Sequence, residues 1–280
     1  MSSSPSWQPE NRVLDLAGNE IHVWVAFDGD ARDAAQIAGF ESMLEPGEHD
    51  RRARLYSEPQ RHQFLVTRAL QRAMLASYAP GVAARDLRFV VGEHGKPALA
   101  PEFATLNLHF NLAHTDGLVA LAVSREAMLG IDVENVNTRT APLPIAGRFF
   151  SAAEARDLAA LPAAEQNARF YALWTLKESW LKATGLGLAA GLGNVSFGFD
   201  RDHRAMRVEM ANDDARRWRF WQASPGPLHR LALAVRASAP PESGGSARVR
   251  MWRCVPGAPQ DREALPAPIT LLGQEERAQP

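Results

Sequence analysis

Two short segments about forty residues apart constrain this chain most: Gly130-Ile131-Asp132-Val133-Glu134, and Trp174-Thr175-Leu176-Lys177-Glu178-Ser179-Trp180-Leu181-Lys182. In the first, Ile131 and Val133 alternate with two acids. That is the period of a strand with one face buried and Asp132 and Glu134 on the other. In the second, Leu173, Trp174 and Leu181 recur at helical spacing, and Glu178 and Lys182 stand one turn apart. A helix packed across that strand would gather three carboxylates beside two ammonium groups. Such a set suits a hard cation such as Mg²⁺ whose shell is completed by phosphate oxygens.

Composition narrows the classes. The 280 residues are 46% hydrophobic and 22% charged, enough for a large core in one or two globular units. A formal net charge of −1 gives no global field toward nucleic acid or an anionic membrane. Cys254 is the only cysteine, which excludes an internal disulfide and a cysteine-rich zinc site and fits a reducing compartment. Met1 to Glu10 has no basic or apolar region of a secretion signal, and no apolar run reaches membrane-helix length. The expectation is a cytoplasmic protein with no nucleic-acid or membrane partner.

The pattern predicts strands at Ile21–Phe27, Leu87–Val91, Leu106–Leu112, Leu118–Val123, Val195–Phe199, Ala205–Met210, Trp218–Gln222 and Leu231–Val235, besides the acidic one. Helices are predicted near Ala31–Leu44, Gln60–Tyr78 and Glu165–Thr184, the last closed by Gly185. Ser151 and Glu154 form a capping box at another helix start, and Asn135 to Pro144 reads as a loop. Gly117–Ser124 and His229–Arg236 echo one another, which suggests two similar α+β halves with Asp132 and Glu134 near the seam. The expected division is 1–126, 127–238 and a Pro/Gly-rich tail at 239–280. That tail is expected to be mostly disordered, with Val249–Cys254 able to add one edge strand.

Gly95-Lys96-Pro97, Phe110-Asn111-Leu112-Ala113-His114-Thr115, the acidic strand, Phe149-Phe150-Ser151 with Glu154, and Trp174 to Lys182 followed by Gly185-Leu186-Gly187-Leu188 stand in one order. Together they resemble the Sfp-type 4′-phosphopantetheinyl transferases, over roughly Arg51 to Val235. The resemblance implies an α+β fold of two similar halves with the active site between them. It implies Mg²⁺-dependent transfer of the phosphopantetheine arm of coenzyme A to a serine of an acyl or peptidyl carrier protein, with release of 3′,5′-ADP. It also implies an enzyme of the holo-acyl-carrier-protein synthase type, working as a monomer because each half supplies the other's partner surface.

By that resemblance Asp132, Glu134 and Glu178 hold Mg²⁺, and Glu178, Lys182 and Asp132 carry the chemistry, Glu178 as acceptor of the serine proton. Coenzyme A would be met by Arg51, His94, Gly95, Lys96, Pro97, Ala113, His114, Thr115, Asp116, Lys177 and Lys182, with Lys96 and His114 at the 3′-phosphate and adenosine end. The family loop has a serine where this chain has Ala113, so Ala113 offers only its backbone and Thr115 is left to compensate.

Taken alone, Glu178 and Lys182 are an i,i+4 surface pair worth about 0.2–0.5 kcal/mol. Glu154 is either a helix cap or an acid near the site. Trp174 and Trp180 read as packing. Two other functions use the same residues: a phosphohydrolase that activates water, and a silent coenzyme A or carrier-binding module. A second Asp/His cluster would mark the first, and a lost carboxylate or a lost Lys182 the second; the sequence shows neither.

Overall fold

The computed structural model describes residues 13–92, 95–137, 143–187, 191–199, 205–211, 213–237, 247–258, 261–266 and 269–271. His94 of the expected site, and Leu188 of the glycine-rich stretch, lie outside them.

The first strand, β1 (Glu20–Phe27), is buried along nearly its whole length and splits its side chains between two cores. Trp24 and Ala26 pack with the helices α1 (Ala34–Met43) and α3 (Glu58–Ala76), while Ile21, Val23 and Val25 face the other way. Between those helices, α2 (Pro46–Ala53) starts from a Glu45/Glu48 capping box with Pro46 in its first turn. The same two carboxylates grip the buried Arg72 of α3, at 2.8 Å and 2.9 Å.

After a small hairpin of β2 (Phe89–Val91) and β3 (Pro97–Leu99) come β4 (His109–Thr115), β5 (Leu118–Ser124) and β6 (Met128–Asn135). Two short helices, α4 (Leu143–Phe149) and α5 (Ala152–Ala160), precede the long α6 (Ala163–Thr184). Gly185 ends α6 at φ 71°, the left-handed cap that glycine adopts without strain. The remaining strands are β7 (Val195–Phe199), β8 (Ala205–Met210), β9 (Trp218–Ala223), β10 (His229–Arg236), β11 (Arg248–Arg253), β12 (Glu263–Ala264) and β13 (Ile269–Leu271).

The strands form a five-stranded sheet in the order β12-β11-β1-β5-β4 and a four-stranded sheet in the order β13-β9-β10-β6. Ile21, Val23 and Val25 meet Leu129, Ile131, Val133, Leu231 and Leu233 in a core between the two sheets. The opposite face of the second sheet, with Trp218, Phe220, Ala232 and Ala234, is covered by Leu173, Leu176, Trp180 and Leu181 of α6. The result is an α+β arrangement of helix, sheet, sheet and helix layers. The echoing segments, β5 and β10, each lie inside their own sheet, flanked by strands on both sides.

Several expectations need correction. Residues 46–53 and 143–149 are helical where no helix was predicted, and Pro97–Leu99 is a strand. The described residues of the expected tail, 247–258, 261–266 and 269–271, are not set apart. β11 runs parallel to β1 and is covered on its outer side by β12, so it is not an edge strand. Met251 and Cys254 are buried, and β13 pairs with β9.

Among the described glycines, the tightest approach is at Gly130. A Cβ there would stand 2.0 Å from the Ser179 carbonyl oxygen and 2.4 Å from the Ala183 nitrogen, so the α6 backbone occupies the space a side chain would need. Gly130→Ala is therefore expected to push α6 off β6 and to destabilise the protein by ~1–3 kcal/mol or more. Urea unfolding of the purified variant measures this; an unchanged midpoint would mean the helix does not press on the strand.

Candidate active site

Gly130 sets which faces meet. Since strand side chains alternate, Leu129, Ile131 and Val133 enter the core between the sheets, and Gly130, Asp132 and Glu134 turn toward α6. From α6, Lys182 reaches Asp132: its Nζ lies 2.6 Å from Oδ1. Asp132 is buried, and its Oδ2 has no hydrogen-bond partner among the described residues.

All three expected carboxyl groups are held above the ordinary carboxylate range. Burial is the largest cause for each, and Lys182 opposes it in every case. Glu134 is raised to about 7 by burial and by the charge of Asp132, with a hydrogen bond from Trp174 acting the other way and Glu178 adding to the rise. Glu178 is raised by burial and then by Asp132. The three acids thus share one electrostatic neighbourhood around Lys182. No group of three or more His, Cys, Asp or Glu side chains among the described residues is arranged to hold a metal ion by itself.

A cleft of about 310 Å³ opens beside this group, lined by Gly95, Lys96, Pro97, Asn111, Leu112, Glu178, Leu181, Lys182, Gly185 and Gly187. Gly95 has φ 83° and makes the turn that brings Lys96 into it. Next to it, a second cleft of about 390 Å³ shares Lys96, Pro97 and Gly185 and adds His109 and Leu186.

Because β6 is the outer strand of its sheet, its free edge must find hydrogen bonds elsewhere. Three side chains supply them. Lys96 Nζ donates to the Leu129 oxygen at 2.9 Å, Asn111 Oδ1 accepts from the Ile131 nitrogen at 2.8 Å, and Thr115 Oγ1 accepts from the Asn135 nitrogen at 3.0 Å. The acidic strand is therefore stitched to β4 of the first sheet and to the β2–β3 hairpin through residues of two sequence motifs.

The remaining expected contacts divide. His114 lies at the surface of β4, held below its ordinary pKa by partial burial and then by the charges of Lys182 and Arg68. The Asp116 oxygen accepts from Asn135 and bonds His229. Arg51 is exposed on α2, with its guanidinium 5.9 Å from the centre of the Phe64 ring; Arg68 stands over the same ring at 5.3 Å.

Ala113 is enclosed in the core between the sheets, which leaves only its backbone for the expected contact. One expectation fails. Lys177 is fully buried, and its ammonium donates to Glu154 and to the Leu192 oxygen, both at 2.8 Å, and to the Val195 oxygen. Glu154 in turn caps α5 through Ser151 and accepts from the Phe197 nitrogen at 2.9 Å. Both belong to the packing of α5, α6 and β7, not to a coenzyme site. Sequence reasoning gave no role to Asn111, although it sits in the motif at strand spacing from Ala113 and Thr115, or to Arg68, which lies one turn beyond Phe64 on α3.

Comparison with known proteins decides the family. The model of the 4′-phosphopantetheinyl transferase superfamily matches residues 128–236. The 4′-phosphopantetheinyl transferase HetI of Nostoc sp. is 33% identical over 185 residues, which is 66% of this chain and 76% of that protein. The chain belongs to this superfamily. The 4′-phosphopantetheinyl transferase Sfp of Bacillus subtilis is 34% identical over 163 residues, 58% of this chain and 70% of that one. A solved holo-[acyl-carrier-protein] synthase of Thermotoga maritima overlaps 41% of this chain and 65% of its own, at 20% identity and a TM-score of 0.34, too partial an overlap to argue from. Phosphopantetheinyl transferases move the phosphopantetheine of coenzyme A to a serine of a carrier protein. Among the described residues no helix is long and apolar enough to cross a membrane.

The raised carboxyls make a prediction about the metal-free protein. A carboxyl whose folded pKa exceeds its unfolded one stabilises fully below the unfolded value, and that stability is lost as pH rises through the folded value. For Glu134 the window runs from about 4.5 to about 7. In chelator, the melting temperature is expected to fall as pH rises from 5 toward 8, and Mg²⁺ is expected to flatten the fall by joining the ionised carboxylates. Calorimetric scans at several pH values check it; the same slope with and without Mg²⁺ would contradict the shared site.

Proposed function

We propose that this chain transfers 4′-phosphopantetheine from coenzyme A to a serine hydroxyl of an acyl or peptidyl carrier protein, as an Mg²⁺-dependent enzyme of the holo-acyl-carrier-protein synthase type. The observation that carries the reading is the grouping of Asp132, Glu134 and Glu178 around Lys182 at the mouth of a cleft. We further propose that residues 1–126 and 127–238 act as two halves with this group at their seam.

The residues fit the cation. A buried carboxylate oxygen without a donor, Asp132 Oδ2, is costly unless something positive meets it. Mg²⁺ is commonly held by one or two carboxylates with water and substrate phosphate completing the shell, so no closed protein cage is needed. Asp132, Glu134 and Glu178 would hold it, and when bound it would neutralise charge on the phosphoryl oxygens.

The chain's own groups do the rest. Lys182, tethered to Asp132 but partly open to the cleft, presents its ammonium to the pyrophosphate. Glu178, with its carboxyl held above the ordinary range by burial and by Asp132, accepts the serine proton as the oxygen attacks phosphorus. Gly95 and Pro97 line the cleft, and His114, Arg51, Thr115 and Asp116 are assigned to the anionic nucleotide end of coenzyme A. Release of 3′,5′-ADP from coenzyme A and an apo carrier protein tests the reading. It is expected to require the carrier, to stop in excess EDTA, and to return on adding Mg²⁺. Full release in excess chelator would remove Asp132, Glu134 and Glu178 as ligands.

A further inference from the structure

Lys96 lies in the cleft of the proposed transferase, yet its ammonium is already engaged by protein. Nζ donates to the Leu129 oxygen at 2.9 Å and the Ala183 oxygen at 3.4 Å. Both carbonyls are ones that regular structure leaves over. Leu129 lies on β6, the outer strand of its sheet, where the edge facing β4 has no ladder partner among the described residues. Ala183 is in the last turn of α6, where the final four carbonyls lack intrahelical donors and a cation is favoured. The two carbonyls also belong to residues beside the tight approach of Gly130 to Ser179 and Ala183.

We infer that Lys96 is a positioning residue, whose ammonium ties the end of α6 to the edge of β6 and so fixes Lys182 and Glu178 relative to Asp132. This rests on the transferase reading for what the positioned groups do, but not for the tie itself. Asn111 and Thr115 perform the same stitching farther along β6. Lys96 differs from them in reaching both the strand and the helix. Burial brings its pKa down to about 8, and no carboxylate among the described residues is bonded to it; its charge bears on His109. The last turn of α6 carries Lys182 one residue before Ala183, so any slack in the tie moves the very ammonium that meets Asp132.

The test uses the full chain with Lys96→Met, which keeps most of the stem, and Lys96→Arg, which keeps the charge and the donors. Steady-state rates are measured with coenzyme A and with 3′-dephospho-coenzyme A, and amide exchange is followed at residues 181–185. Lys96→Met is expected to lower kcat roughly 10–100-fold with both nucleotides, the scale of an ångström-sized misplacement. The preference between the two should stay within about twofold of the parent's, since positioning acts on both alike. Amide exchange at the end of α6 should quicken, and Lys96→Arg should recover most of kcat. A lost preference with kcat retained would overturn the inference and make Lys96 a phosphate contact. An unchanged kcat in folded protein would leave it a plain structural residue. If the parent transfers nothing, the transferase reading fails, and the exchange arm still decides: unchanged exchange in Lys96→Met overturns the tie.

Discussion

Glu178→Gln is expected to give a folded protein whose kcat falls by roughly 10²–10⁴ from loss of the proton acceptor alone. Weakened metal binding should add to that, because the amide carries no charge. The carboxyl is raised by burial and by Asp132, which together outweigh the attraction of Lys182, so replacing it relieves more than it gives up. The core beneath it, built on Leu173, Leu176 and Leu181, is untouched. The melting temperature should therefore stay level or rise slightly while turnover is lost. Near-normal kcat in the purified variant, at saturating Mg²⁺, would return Glu178 and Lys182 to an ordinary helix-surface pair.

The largest effect on stability is expected one residue earlier. Lys177→Met removes the cation from a fully enclosed pair and leaves the Glu154 carboxylate buried among α5, α6 and β7. Breaking such a pair from one side costs about 3–5 kcal/mol, which lowers the melting temperature on the order of 10 °C in a protein of this size. Adding Glu154→Gln should recover part of the loss, because the neutral amide keeps an oxygen for the Phe197 nitrogen and leaves no bare charge. Thermal melts of the two single variants and the double check this. Simple additivity would mean that the pair is not coupled. Any activity lost in Lys177→Met should follow the unfolded fraction and not the affinity for coenzyme A.

That pair also shows what the sequence made legible. Lys177 was readable as buried: Leu173, Trp180 and Leu181 stand three and four residues from it, all buried, whereas Glu178 and Lys182 share a different face. Charge type outweighed helical position in assigning it to the coenzyme. The acidic strand, the capping box at Ser151 and the cap at Gly185 were legible because each is a local pattern with a local cause. The helix at 46–53 was hidden by its charged composition and by Pro46-Gly47, although proline in a first turn is compatible with a helix start. The place of Arg248–Arg253 could not be read, because a parallel partnership with β1 is made more than two hundred residues away and leaves no local sign. The stitching of β6 was invisible for the same reason: neither the strand residue Asn111 nor Thr115 in the expected turn shows a partner until β4 and β6 are laid side by side.

The central claim is that the group around Lys182 moves a phosphopantetheine arm onto a serine. Intact-mass measurement of an apo carrier protein incubated with this protein, coenzyme A and Mg²⁺ tests it most directly. The account predicts a gain of one phosphopantetheine on the carrier, absent when the carrier serine is replaced by alanine and nearly absent with Glu178→Gln. A carrier of unchanged mass, with folded protein and bound coenzyme A, would contradict it and leave a coenzyme-binding module; coenzyme A cleaved without mass gain would point to water as the acceptor.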